Sequence, residues 1–282
     1  MLINYGSFMY FVYIFIAIGI CIGLFFLLRR KSDRIKRITL LTLAFVNLGQ
    51  HILKPLIYPH YWGEFSPHLS SAYNVCAFLI IATPFVLLFG NELFRNYMTY
   101  IGSIAGMIAM VVPFWFIGQS AFQWEAYRFY FCHSLLFVTS LLPALLGMHR
   151  LRWRHFWKMG LLFLAMLGII LLNDTFFVAI DGYAGTNPDD IYGSLCLINP
   201  CWSVLPPIGR FDWLVDIIAF FSPAFLMGGN SSGFYVPILW YAIPMYLGIT
   251  LVAFGVCALI DLRSFKEALC TFVNKVRCKK QK

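Results

Sequence analysis

Seven stretches of the chain are each predominantly apolar over about 20 residues, the length an α-helix needs to cross the hydrocarbon core of a bilayer. They fall roughly at 8–28, 38–58, 72–90, 97–117, 129–148, 157–180 and 235–260. Unpaired backbone groups are costly in hydrocarbon, so a continuous apolar run of this length is read as helix. Composition agrees. Of the 282 residues 61% are hydrophobic and only 12% charged, against about 25% charged in a soluble domain. One soluble core of this size does not hide that much apolar surface. A soluble enzyme, a secreted module and a disordered chain are therefore excluded as classes. An eighth segment, 213–227, is only about 15 residues long and contains Asp216 and Pro223. It is read as re-entrant or interfacial rather than as a span.

Charge placement orients these helices. Of 21 Lys and Arg residues, six lie in the loop from Arg29 to Arg37, one is Arg95, four lie between Arg150 and Lys158, and seven follow Asp261. Arg128 and Arg210 fall in the alternate loops and Lys54 inside a span. This bias places the N-terminus outside and the C-terminus in the cytoplasm, and it requires an odd number of spans. The net charge of +9 is then positive-inside charge and not a nucleic-acid footprint. The first apolar segment lacks a basic n-region and is followed by basic residues, so it is read as a retained helix, not a cleaved signal. Residues 1–282 form one polytopic membrane domain on this reading, in the cell membrane. Its basic tail, 261–282, places Phe265, Leu269, Phe272, Val273 and Val276 near one helical face, as an amphipathic helix on anionic lipid would.

Eight Cys residues include no Cys/His spacing of a zinc site. Cys21, Cys132 and Cys257 sit in apolar runs and read as packing residues. Cys196 and Cys201 share the long outer loop 181–212, where they either pair in an oxidising compartment or stay free. Cys76 differs because of its neighbours in depth. At about 1.5 Å per helical residue, Asn74, Cys76, His133, His51, Lys54, Asn173 and Asp174 all fall within roughly 10 Å of the outer boundary. The inner halves of these helices show no comparable cluster. Ionisable groups in a span are costly, and they mark function by default. A nucleophilic thiol needs a base and the base an orienting group, roles open to Cys76, His133, and Asp174 or Asn173. The competing account is structural: intramembrane His, Asn and Asp also tie helices together.

Other features carry less. Gly229–Gly233 matches the G-x-S-x-G elbow around Ser231, but that elbow needs a strand–turn–helix context. Asn230-Ser231-Ser232 is a glycosylation sequon. His149 and His155 read as interfacial, and His60 and His68 flank an outer loop with Trp62 and Glu64. Pro84, Pro113 and Pro143 are expected to kink their spans.

Four stretches resemble the YwaF-like integral membrane family, which includes the eukaryotic transmembrane protein 164 acyltransferases. They are Asn74-Val75-Cys76; Phe129-Tyr130-Phe131-Cys132-His133; Asn173; and Gly185-Thr186-Asn187 ahead of Leu195-Cys196. The chain differs from the bacterial pattern in Ala77-Phe78 after Cys76 and in Pro188-Asp189 after Asn187. The resemblance implies a phospholipid acyltransferase working through a Cys thioester near the outer leaflet. Cys76 would then accept the acyl group and His133 act as its base, with Asp174 or Asn173 as orienting group. His51, Lys54, Asn74 and Asn187 are expected at the substrate, membrane phospholipid is the partner, and neither metal nor soluble cofactor is implied. Two alternatives remain. One is a transporter or lipid-binding protein in which His51, Lys54 and Asp174 line a polar cavity. The other is an accessory subunit whose polar residues are structural.

Overall fold

The computed structural model describes residues 1–57, 67–113, 116–152, 155–181, 187–198, 212–222, 224–227, 235–260, 266 and 270. Cys201, the segment Gly229–Gly233, His60, Trp62, Glu64, Gly185 and the amphipathic run of the tail lie outside the described residues. The described fold is all-helical, with one isolated β-bridge between Leu2 and Ser120. Its main helices are α1 (Phe8–Leu28), α2 (Asp33–Ile52) and α3 (Val75–Phe89). Then comes α4, a continuous helix of three parts: Glu92–Tyr97, a π-turn at Met98–Gly102, and Ser103–Val111. The others are α5 (Trp124–Leu145), α6 (Phe156–Asp181), α7 (Ile191–Ile198), α8 (Asp212–Phe221) and α9 (Ala242–Ile260).

Side-chain caps set several of the starts. Ser7 accepts from the Tyr10 N–H, Asn74 from Ala77 and Asn91 from Phe94, each satisfying an N–H that has no partner inside its helix. Pro84 and Pro143 lie inside α3 and α5. Pro113 does not kink a span as expected: it follows the end of α4. Val112 there has left the helical region at φ −125, ψ 66, as the residue before a proline tends to.

Among the described residues four helices are long and apolar enough to cross a membrane: Phe8–Leu28, Trp124–Leu145, Phe156–Ile180 and Leu239–Leu259. Val75–Phe89 is also apolar but has 15 residues, about 22 Å of helix. In α2 the charges Asp33, Arg34, Lys36 and Arg37 crowd the first turns, and the π-turn divides α4. The helix α8 has ten residues and leaves Asp216 exposed. Phe8, Phe15 and Phe26 on α1, Leu172, Phe176 and Ile180 on α6, and Leu251 and Leu259 on α9 are each more than half exposed. Faces of that kind need lipid around them, and the protein is a multi-pass membrane protein.

Helix α5 is the centre of the bundle. Its apolar window is 61% buried by protein, against 22% for α1, 33% for α6 and 17% for the last span. It packs on α1, α2, α3 and α4 and contributes to two cores. One joins α3, α4, α6 and α9 and includes Cys132 and Leu136; the other joins α1 and α2 and includes Tyr130 and Val138. Close contact between α4 and α5 depends on Gly106. A Cβ there would stand 2.8 Å from Phe137 N and 2.9 Å from His133 O. That contact fixes the turn of α5 that carries His133.

Candidate functional site

Cys76 is the second residue of α3, in the turn that Asn74 caps from its Oδ1 to Ala77 N at 2.9 Å. Asn74 is therefore held at the helix start, next to Cys76. The thiol is free and half-buried, and it lies close enough to the imidazole of His133, on α5, to interact with it electrostatically. The imidazole is buried. Its Nδ1 lies 2.7 Å from the carbonyl oxygen of Phe129, one turn earlier in α5, and 3.4 Å from Cys132 Sγ. A carbonyl can only accept, so Nδ1 is the protonated nitrogen. Nε2 is left as the basic nitrogen. The Phe129 ring lies against the imidazole at 4.3 Å between centroids, and Asn47 on α2 donates to Cys132 O at 3.0 Å. The structure thus brings Cys76 and His133 together from helices 57 residues apart in sequence.

Asp174 is 1% exposed. Its Oδ1 is 2.7 Å from His68 Nε2 and 3.2 Å from Asn173 Nδ2. Asn173 also donates to Ser71 Oγ at 2.9 Å. The ring that Asp174 orients in these contacts is that of His68. At Nδ1 of His133 the corresponding position is taken by a backbone carbonyl. His68 sits in a 3₁₀ turn, Pro67–Ser70, immediately before α3, against the rings of Tyr73 and Phe177. As a lone His beside an outer loop, with no ligand spacing around it, it gave no sign in the sequence of this partnership.

His51 and Lys54 are buried at the C-terminal end of α2 and just beyond it. His51 Nε2 is 3.1 Å from Ser71 O, and Lys54 donates to the Tyr73 hydroxyl at 2.5 Å. Both therefore bind the short segment 71–73 that leads into Cys76. Asn187 lies apart from these contacts. It is exposed and shapes a turn before α7, its N–H donating to Ser194 Oγ and its carbonyl accepting from the same hydroxyl, both at 2.8 Å. Cys132, expected to be a packing residue, is buried as such but also contacts His133. Among the described residues no group of three or more His, Cys, Asp or Glu side chains is gathered as metal ligands.

The opposite ends of the same helices are more polar than expected. Asn96, Thr99 and Ser103 on α4 and Thr139 and Ser140 on α5 are all buried. Thr99 Oγ1 donates to Ser140 O at 3.0 Å and lies 3.2 Å from His149 Nε2, and Asn96 Nδ2 lies 2.8 Å from His155 Nδ1. His149 and His155, expected at the interface, thus have helix partners. A second polar cluster thus lies on α4 and α5, away from Cys76. The hydroxyls of Thr139 and Ser103 bond carbonyls one turn back, which lets such residues hide in an apolar run.

A family model described as the TMEM164 family matches residues 4–199. The match spans more than two thirds of the chain and takes in Cys76, His133 and Asp174. No curated protein and no solved structure gives a match.

Proposed function

The chain belongs to the TMEM164 family, and on that premise we propose that it transfers a fatty acyl group between membrane phospholipids through a thioester on Cys76. The observation that carries this is the approach of Cys76 to the imidazole of His133, whose Nδ1 the Phe129 carbonyl holds at 2.7 Å. Thiol, base and orienting group are the parts that nucleophilic acyl transfer requires.

In the first half-reaction His133 Nε2 takes the thiol proton as Cys76 Sγ attacks the ester carbonyl carbon. The tetrahedral intermediate collapses with cleavage of the ester C–O bond, and the imidazolium returns the proton to the departing lysophospholipid oxygen. In the second half-reaction the acceptor hydroxyl gives its proton to Nε2 and attacks the thioester carbonyl. The C–S bond breaks and Cys76 is reprotonated. Lys54 and His51 hold the approach to Cys76 through Tyr73 and Ser71, on the side where the donor phospholipid would bind. Asn74 acts by capping α3, and His68–Asp174–Asn173 braces the same approach from α6.

The proposed setting is seven spans in the cell membrane, with the N-terminus outside and the site near the outer leaflet. It is supported by helices in each of the seven apolar stretches and by the positive-inside placement of Lys and Arg. Lipid profiling of cells that carry wild type, Cys76→Ser or His133→Ala at equal expression tests the reading. Wild type alone should alter the acyl-chain distribution; one distribution in all three would refute it.

A further inference from the structure

A cavity of about 220 Å³ lies where α2, α3, α4 and the end of α5 converge, away from Cys76. It has room for roughly seven waters at about 30 Å³ each. Its walls are mainly apolar, and its polar lining includes Asp33, Arg37, Arg95, Thr99, Ser140 and His149. On the proposed topology it lies at the depth of the cytoplasmic headgroups.

Three observations point to an anionic ligand with a proton to donate. First, the charges are unbalanced. Asp33 is paired with Lys36 at 3.1 Å, and Glu92, the other nearby carboxylate, with Arg152 at 2.5 Å. Among the described residues Arg95 has no ion-pair partner. Arg37 spends one N–H on Leu88 O at 2.8 Å and keeps others for a ligand. Second, the tautomer of His149 is determined by its neighbours. Thr99 Oγ1 has one hydrogen, which goes to Ser140 O. It must therefore accept from His149 Nε2–H, and His149 Nδ1 carries a lone pair. Third, that Nδ1 is buried without a hydrogen-bond partner, as is the Oγ of Ser140, a residue only 1% exposed. Orphaned buried polar atoms are costly unless something outside the chain completes them.

We propose that this cavity binds a protonated phosphate group, either a lipid phosphomonoester headgroup or a free phosphate. Arg37 and Arg95 hold its charged oxygens and His149 Nδ1 accepts its P–OH. Arginine is suited to two-point recognition of phosphate oxygens. The lone pair on Nδ1 adds selectivity, because it repels a fully deprotonated oxyanion and rewards one that still carries a proton.

The test is thermal melting of the full chain, purified in a neutral detergent, with sodium phosphate and sodium sulfate at matched ionic strength. Phosphate should raise the melting temperature and sulfate, which carries no proton at neutral pH, should not. Dihexanoyl phosphatidic acid and dihexanoyl phosphatidylcholine then identify the source. Stabilisation by the first alone, at concentrations at least tenfold below those of inorganic phosphate, assigns a lipid headgroup. Equal potency of phosphatidic acid and phosphate assigns a free phosphate. Arg95→Gln should weaken either effect at least tenfold. No shift with any probe, equal shifts with sulfate and phosphate, or an unaltered response in a folded Arg95→Gln protein would overturn the proposal.

Discussion

His133 Nδ1 sits 2.7 Å from the carbonyl oxygen of Phe129, so the helix that carries the imidazole also orients it. A backbone carbonyl cannot be removed by substitution, and no carboxylate is needed at that nitrogen. Asp174 is engaged by His68 at 2.7 Å. Asp174→Ala should therefore act mainly on stability, since it leaves a buried polar partner uncompensated at a cost of about 3 kcal/mol. The expected result is a lowered melting temperature, with acyl transfer per folded molecule reduced far less than in His133→Ala. Loss of transfer equal to that of His133→Ala would move the orienting role back to Asp174.

Gly106 should tolerate nothing larger. A Cβ at this position would meet Phe137 N at 2.8 Å and His133 O at 2.9 Å, and backbone cannot swing aside as a side chain can. Gly106→Ala should cost about 1–3 kcal/mol by overpacking and displace the turn that carries His133. Both the melting temperature and the transfer rate should fall. A variant with wild-type activity would show that the α4–α5 distance does not position the base.

Cys132 offers a second thiol to the same imidazole, with Sγ 3.4 Å from Nδ1 and 3.2 Å from Phe129 O. Because Nδ1 already serves the carbonyl, Cys132 lies on the wrong side of the ring to be deprotonated by Nε2. Cys132→Ala should keep transfer within about tenfold of wild type, the scale of one modest hydrogen bond. Cys76→Ser should lose it. The reverse pattern in a transfer assay would exchange the two roles.

His149 predicts a pH dependence of stability. Burial pushes its imidazole down to about 4, and Arg95 adds repulsion of the charged form. The unfolded side chain titrates near 6.5, so between these values the unfolded state binds a proton that the folded state does not. The contribution is complete above about pH 6.5, declines as pH falls and is lost below about 4. Its size is on the order of 2 kcal/mol after allowing for partial exposure. Melting temperatures taken from pH 7 to 4 should fall across that window, and His149→Gln, which keeps a donor for Thr99, should flatten the slope.

Much of this was legible in the residues themselves, and the illegible parts share a physical cause. Helices appear in every long apolar run because hydrocarbon leaves the backbone little choice. Cys76 and His133 were linked by expected depth, since antiparallel helices turn sequence position into height, and by the motifs of the resemblance. Depth does not give the order of helices around the bundle, so it equally admitted Asp174, whose described partner lies in the turn before α3. His68 was hidden because a pairing across 106 residues leaves no local pattern. The second polar cluster, on α4 and α5, was hidden for a different reason. Thr139 and Ser103 satisfy their hydroxyls within their own helices and look like packing residues until α4 and α5 are brought together. The π-turn at Met98–Gly102 that accompanies this contact has no signature in composition.

The central claim is a covalent intermediate on one sulfur, and intact-mass analysis of the purified protein after incubation with a phospholipid bearing an isotopically labelled acyl chain tests it most directly. The account predicts a mass increase of one labelled acyl group, removed by neutral hydroxylamine, located at Cys76 by peptide mapping and absent from Cys76→Ser. A protein that alters labelled lipid without ever carrying the label, or that carries it unchanged in Cys76→Ser, would contradict the account.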